Sequence, residues 1–128
     1  MRILLDTCTF LWIVSDAPDL SAEARRLFMS TGNEVYLSAV SAWEISVKHA
    51  LGRRPLPQPP SRFVPFERAR HRIEALALEE EAALAIDRLP DRHRDPFDRM
   101  LVCQAIAHGM TILTPDPLVA RYPVPTAW

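Results

Sequence analysis

Four carboxylates in this sequence occupy positions from which they can act together: Asp6, Glu44, Asp98 and Asp116. Asp6 and Asp116 follow short apolar runs that predict buried strands, whereas Glu44 and Asp98 lie in the first turns of predicted helices. If the strands are parallel, all four acids gather at one edge of one sheet. Two carboxylates about 5 Å apart repel by roughly 3 kcal/mol at an effective dielectric near 20, so such a cluster takes up protons or binds a cation.

The chemistry that a bound cation would bring to these acids is phosphate-ester hydrolysis. A set of ligands made only of oxygens suits Mg²⁺ or Mn²⁺, and such ions activate water for in-line attack on a phosphodiester. We expect no lysine beside the acids that converge at the end of the buried sheet, so arginine or a metal ion must supply their counter-charge. The acids therefore predict a metal-dependent enzyme.

Each acid also has a purely structural explanation as a helix cap. Ser41 and Glu44 form a capping-box pattern, with Glu44 at the third helical position. Asp95 and Asp98 fit the N-cap and third positions of a later helix, and Asp116 stands before a proline as a further N-cap candidate. Capping and metal binding are compatible, so both interpretations stay open for every acid.

The elements that would position these acids alternate between strand and helix along the chain. Strands are predicted over residues 3–5, 35–37, 73–77 and 111–114, with a further edge strand near Val124. Helices are predicted over residues 8–15, 22–30, 41–51, 61–70, 79–89 and 96–108. This alternation indicates an α/β fold with a central, mainly parallel sheet flanked by helices, in a single domain spanning 1–128.

Composition limits the class of protein. The 128 residues are 48% hydrophobic and carry a net charge of −1, so no global basic field marks a nucleic-acid binder. Fourteen of the fifteen basic residues are arginine, which suits phosphate contacts, and Lys48 is the exception. No apolar run approaches the roughly 20 residues that span a bilayer. The first residues lack a signal-peptide layout, so we expect a cytoplasmic protein without a membrane association.

Other residues that could carry chemistry offer weaker patterns. The four histidines are scattered without zinc-ligand spacing, and we assign each a structural or exposed position. Cys8 and Cys103 are expected to be reduced, small buried side chains. Trp12 and Trp43 are assigned to the core or an interface rather than to base stacking. The sequence contains no glycine-rich phosphate loop.

Four segments carry a family resemblance: residues 4–7, 38–45, 93–101 and 113–116. Their sequences, LLDT, SAVSAWEI, HRDPFDRML and LTPD, resemble the four acidic motifs of PIN-domain nucleases. More narrowly, the chain is similar to the toxin of VapBC-type toxin–antitoxin pairs, and the likeness covers nearly the whole chain. The resemblance implies a Rossmann-like PIN domain with Mg²⁺- or Mn²⁺-dependent endoribonuclease activity. It also implies a homodimer that is held inactive by a cognate antitoxin whose tail covers the acidic site.

The resemblance also implies roles for individual residues. By position, the metal-binding acids are Asp6, Glu44, Asp98 and Asp116. Asp95 is an auxiliary acid or a cap, and the cap is favoured. Thr7 and Thr114 would orient carboxylates or water through hydrogen bonds. Arg94 and Arg99 would contact phosphate.

The resulting hypothesis is hydrolysis of RNA by metal-activated water, which leaves a 5′-phosphate and does not require the RNA 2′-hydroxyl as nucleophile. A DNA or flap nuclease with the same site is an alternative, as is a non-catalytic module that binds only a metal or a partner. A phospho-acceptor receiver domain would need a lysine after a late strand, whereas Lys48 precedes those strands.

Overall fold

The strands and helices of the chain alternate as expected for an α/β protein. The computed structural model describes residues 1–128. The strands are β1 (Arg2–Leu5), β2 (Glu34–Ser38), β3 (Glu74–Leu76), β4 (Thr111–Leu113) and β5 (Thr126–Ala127). The α-helices are α1 (Thr7–Ser15), α2 (Ala22–Met29), α3 (Ala39–Ala50), α4 (Pro60–Arg70), α5 (Glu80–Leu84) and α6 (Pro96–His108). None of these helices has both the length and the apolar character needed to cross a bilayer.

One five-stranded sheet has the order β3-β2-β1-β4-β5, and every neighbouring pair is parallel. The register places Ile3 of β1 opposite Val35 of β2 on one side and Thr111 of β4 on the other. Because all strands run in one direction, the carboxyl ends of β1, β2 and β4 lie at the same edge. The predicted fold class is confirmed, and Asp6 follows the central strand of the sheet.

Helices cover both faces of the sheet because successive strand side chains point to opposite faces. Ile3 and Leu5 join a core cluster with residues of α1, α2 and α4, among them Phe10, Leu27 and Phe63. Leu4, which lies between them in sequence, joins a second cluster with residues of α6 and the segment after β4, among them Leu101, Val102 and Val119. The central strand is therefore buried on both sides, as its continuous apolar sequence predicts.

Two predicted element boundaries are wrong. The predicted helix over 79–89 is a short α5 followed by a 3₁₀ segment, Ala85–Arg88, because only Ala82 of α5 is buried and Arg99 takes the Ile86 carbonyl as an acceptor. The edge strand lies at Thr126–Ala127 rather than near Val124, whose N–H donates to the Tyr122 carbonyl instead of the sheet.

A buried glutamine ties α6 to the strand ends near the acids. The side chain of Gln104 is fully buried, accepts a hydrogen bond from the Ser38 hydroxyl and donates one to the Ala77 carbonyl. The Ser38 hydroxyl in turn accepts from the Val40 N–H as the N-cap of α3. Gln104 thus links the carboxyl ends of β2 and β3 to the helix that carries Asp98.

We predict that Gln104→Leu lowers the free energy of unfolding by roughly 2–3 kcal/mol, because the Ala77 carbonyl and the Ser38 hydroxyl lose their partners inside the protein. Urea unfolding measures this change. The chain's other glutamine, Gln58, is exposed, so Gln58→Leu is a matched control that should alter stability by less than about 0.5 kcal/mol. Equal effects of the two substitutions would contradict the structural role of Gln104.

Candidate active site

Asp6 sits where β1 gives way to α1, and its carboxylate is fixed from two sides. Its Oδ1 accepts the Thr9 N–H at 2.8 Å as the N-cap of α1, and its Oδ2 accepts the Thr114 hydroxyl. Thr114 is buried directly after β4, the neighbour of β1 in the sheet. Its N–H donates to the Ala127 carbonyl of β5 at 3.1 Å. Asp6 is therefore the N-cap of α1, and the Thr114 hydroxyl makes the contact that its predicted orienting role requires.

Glu44 lies in the second turn of α3, buried and fully engaged. Its Oε1 accepts the Thr7 hydroxyl at 2.6 Å, and Lys48, one turn further along the helix, forms an ion pair with Oε2. The predicted capping box is wrong, because the N-cap of the helix is Ser38, three residues before the expected Ser41. The Ser41 hydroxyl lies 3.0 Å from the Thr7 hydroxyl instead. Glu44 is therefore not a capping residue, and its side chain connects α3 to Thr7 at the start of α1.

The start of α6 supplies two further carboxylates. Asp95 is the N-cap, as predicted, with Oδ1 accepting the N–H groups of Phe97 and Asp98 at 2.8 and 3.3 Å. Asp98 lines the same cleft as Asp6 and Glu44, and burial together with the charges of those two carboxylates raises its pKa. Asp95 therefore holds the turn that presents Asp98.

His93 bridges the last two acids. Its Nε2 lies 3.1 Å from Asp98 Oδ2 and 2.9 Å from Asp116 Oδ2. The N–H of Asp95 donates to Nδ1 at 3.1 Å, so in this arrangement Nδ1 is unprotonated and Nε2 carries the ring proton. Asp116 is also held by the Leu118 N–H, which donates to its Oδ1 at 2.9 Å. The imidazole thus acts as a donor that keeps two carboxylates together.

These acids border one narrow cleft of about 160 Å³ at the carboxyl edge of the sheet. Its lining includes all four predicted acids together with others: Asp6, Thr7, Cys8, Trp12, Glu44, Lys48, Asp95, Asp98, Pro115 and Asp116. When ionised, the five carboxylates face a single ammonium group, that of Lys48. Ligand atoms of His93, Asp98 and Asp116 all lie within 4.8 Å of one another, close enough to surround one metal ion.

The electrostatic strain of this cleft appears in its pKa values. Burial, followed by the charges of Asp95, Asp6 and Glu44, raises the pKa of Asp98 to about 7. Burial also raises the pKa of Asp6, against the hydrogen bonds from Thr114 and Thr9 that lower it. A nearby cation would stabilise the ionised form of such a carboxyl group and so lower its pKa.

Comparison with known proteins bears on the family and the fold. The sequence matches the PIN domain family over residues 3–124. The chain belongs to the PIN domain family. A 49-residue stretch of this PIN domain is 41% identical to Ribonuclease VapC16 of Mycobacterium tuberculosis, and it covers 38% of this chain and 35% of that protein. The chain therefore aligns with only about a third of that curated relative.

Solved structures share the fold of this PIN domain over nearly its full length. One is the crystal structure of VapBC2 from Rickettsia felis bound to a DNA fragment from their promoter, with a TM-score of 0.74, 15% identity, and 99% and 98% of the two chains covered. Another is VapBC-1 from nontypeable Haemophilus influenzae, with a TM-score of 0.65, 16% identity, and 99% and 97% covered. At such identities the likeness establishes the fold alone.

The two arginines assigned to phosphate contact differ in position. Arg94 is exposed and borders an open depression of about 440 Å³ beside His93. Arg99 is absent from the lining of the acidic cleft, because its guanidinium donates to the Pro90 carbonyl at 3.1 Å and to the Tyr122 hydroxyl at 3.2 Å. In this PIN domain Arg99 holds the segment that precedes α6, and Arg94 is the one free to meet a ligand.

Sequence reasoning missed two residues of the site. One is Lys48, whose spacing of four residues from Glu44 places both on one face of a helix. The other is His93, which the sequence pattern assigns only a structural or exposed position, although it lies two residues before the N-cap of α6. Cys103 is buried as expected, whereas Cys8 is exposed at the cleft. Trp12 is half-buried, packs against the core and meets Trp128 at a tilted angle with ring centroids 5.7 Å apart, as its core assignment predicts. Trp43 is 60% exposed, so its assignment to the core is wrong.

We predict that Asp98→Asn stabilises the metal-free protein at high pH. The pKa of Asp98 is raised from its ordinary value of 3.8 to about 7, so the folded state holds this proton more tightly than the unfolded state. Stability is therefore lost as pH rises through that interval. The neutral amide avoids this loss, and its advantage should grow between pH 4 and 8 to roughly 2 kcal/mol.

Denaturant unfolding in EDTA across that pH range measures the difference. The exposed Asp19 offers a matched control, and Asp19→Asn should follow the parent protein at every pH. A destabilised Asp98→Asn protein at pH 8 would contradict the electrostatic account of the cleft.

Proposed function

We propose that this PIN domain is the toxin of a VapBC-type toxin–antitoxin pair, acting as a Mg²⁺- or Mn²⁺-dependent endoribonuclease. One observation carries the proposal: Asp6, Glu44, Asp98 and Asp116 reach a single cleft from four separate segments of the chain. The local identity to a ribonuclease and the match to the PIN domain family support the same function. Both the clustered acids and the similarity to a ribonuclease fit a cleft that carries out nuclease chemistry.

The donor set fits a hard divalent cation. The cleft presents mainly carboxylate oxygens, which are ligands that Mg²⁺ and Mn²⁺ prefer, together with the Thr7 hydroxyl. In the tautomer set by the Asp95 N–H, the Nε2 proton of His93 points to the carboxylates, so His93 would join them as a ligand only in its other tautomer. Asp6, Glu44, Asp98 and Asp116 would hold the ion. When bound, the ion would activate water and stabilise charge that develops on the phosphoryl oxygens.

The protein's own contribution is to hold the carboxylates ready. Thr114 and the Thr9 N–H orient Asp6, and Thr7 orients Glu44. His93 contacts both remaining acids, Asp98 and Asp116, and holds them together. Carboxylate oxygens accept more than one partner, so these contacts leave lone pairs for a cation. Fixing the ligands in advance avoids reorganisation during the reaction, which is the main source of electrostatic catalysis.

RNA is the proposed substrate, although hydrolysis by activated water needs no 2′-hydroxyl and would also cut DNA. Selection of RNA must therefore come from binding. Arg94 is the proposed phosphate contact, because it is exposed beside the Asp98–Asp116 end of the cleft. A DNA or flap nuclease with this site is separated from the ribonuclease by competing labelled RNA and DNA substrates in one reaction.

A protein partner is proposed on the strength of the solved complexes with similar folds, which are described as VapBC and FitAB assemblies. We propose that a cognate antitoxin inhibits this chain by covering the acidic cleft, and that the active protein is a homodimer. A co-expressed antitoxin that abolishes cleavage, and whose removal restores it, would support this arrangement. Sedimentation of the purified chain measures its oligomeric state.

We predict that Asp6→Asn lowers the cleavage rate of structured RNA at least about 100-fold in Mg²⁺ or Mn²⁺, because it removes one negative ligand. Asparagine is as good an N-cap as aspartate, so α1 should stay intact. EDTA should abolish cleavage by the parent protein. Asp16→Asn, an exposed substitution far from the cleft lining, is the control and should cleave normally. Equal rates for Asp6→Asn and the parent would sink the proposal.

We predict that Arg94→Ala raises the KM for RNA by roughly threefold to tenfold without changing the melting temperature. Loss of one phosphate contact should also reduce the slope of log affinity against log salt by about 0.7 for a single strand. Arg99→Ala should instead lower the melting temperature, since its guanidinium is committed to the Pro90 carbonyl and the Tyr122 hydroxyl. If the two substitutions behave alike, the division of roles is wrong.

A further inference from the structure

An aromatic pair lies next to Lys48, a residue that lines the acidic cleft. Trp43 of α3 and Phe97 of α6 meet edge to face, with ring centroids 4.9 Å apart and planes inclined by 72°. Phe97 is half-buried against the core cluster beneath α6, whereas Trp43 is 60% exposed. The buried ring therefore anchors the exposed one, and a large rigid π surface faces solvent.

The position of the pair relative to the acids is fixed by sequence and by one lysine. Trp43 directly precedes Glu44, and Phe97 directly precedes Asp98. Lys48 joins the two features, since its ammonium pairs with Glu44 and lies 6.0 Å from the centroid of the Phe97 ring. The aromatic pair thus shares a boundary with the Glu44 side of the cleft.

A second surface near the acids carries arginines. Arg92 and Arg94 line the open depression that includes His93, and His93 contacts Asp98 and Asp116. The acids are therefore linked to arginines through His93 and to an aromatic face through Lys48. A strand of nucleic acid that places one phosphate over the acids has both kinds of contact nearby. Stacking platforms combined with cationic contacts are the features that bind single-stranded nucleic acids.

We propose that Trp43, held by Phe97, is a nucleobase-stacking platform that takes an unpaired nucleotide of the RNA substrate next to the cleavage site. The proposal rests on the proposed ribonuclease function and specifies its substrate class as single-stranded segments or loops. A base within a duplex is stacked on its neighbours, so its π face is unavailable to Trp43. The platform therefore selects unpaired nucleotides without reading a particular base.

Binding in EDTA tests the platform separately from cleavage. The probe is a fluorescein-labelled single-stranded oligoribonucleotide followed by anisotropy, with a blunt RNA duplex of the same length as comparison. Trp43→Ala should weaken single-strand binding about 5-fold to 150-fold and leave duplex binding unchanged. Trp43→Phe should retain affinity within about threefold, whereas Trp43→Leu, which keeps apolar volume without a π face, should fail like alanine.

Phe66 of α4 provides the matched control, because its ring is also 60% exposed. Phe66→Ala should bind the single strand like the parent. Quenching of the parent's tryptophan emission on RNA binding, lost in Trp43→Phe, would give a second readout that does not depend on stability.

The outcomes separate this proposal from the proposed nuclease function. Unchanged single-strand affinity in Trp43→Ala, or affinity retained by Trp43→Leu, overturns the platform even if Asp6→Asn abolishes cleavage. Trp43→Ala that binds RNA normally but no longer binds the antitoxin makes the pair a protein-docking surface and also overturns it. A parent protein that binds single-stranded RNA in a Trp43-dependent way, yet cleaves none, supports the platform and contradicts the nuclease.

Discussion

Repulsion between carboxylates at the edge of a buried parallel sheet is the constraint on which the rest of the site depends. Five acids face one cleft with a single ammonium among them, and burial raises the pKa of two of these acids. Such a cluster keeps its geometry only if the surrounding contacts hold it together. Threonine hydroxyls, an imidazole N–H, an ion pair and backbone amides all serve this purpose.

Helix starts offset part of this repulsion. Asp6 and Asp95 are N-caps, so their charges lie at the positive ends of α1 and α6. The capping explanation and the metal-binding explanation therefore reinforce each other for Asp6, because the same hydrogen bond that starts the helix also fixes the carboxylate. Glu44 is different: it caps no helix and depends on Thr7 and Lys48. The hydrogen bond from Thr7 links α3 to the start of α1.

The sequence predicted the features that depend on neighbouring residues better than those that depend on tertiary contacts. The strands at β1 and β4 and the convergence of four acids followed from apolar runs and parallel topology. The start of α3 was misplaced because two serines compete for the cap, and only the tertiary contact of Ser38 with Gln104 selects between them. His93 was missed because its role depends on a loop conformation. Lys48, by contrast, was visible in the helical spacing.

The two-residue strand β5 connects the far end of the chain to the chemistry. The Ala127 carbonyl accepts a hydrogen bond from the Thr114 N–H, and the Thr114 hydroxyl donates one to the Asp6 carboxylate. Trp128, the next residue, packs at a tilted angle against Trp12, which lines the cleft. A change that displaces β5 should therefore disturb the hydrogen bond that orients Asp6. Residues 126–128 thus belong to the support of the site, although none of them lines the cleft.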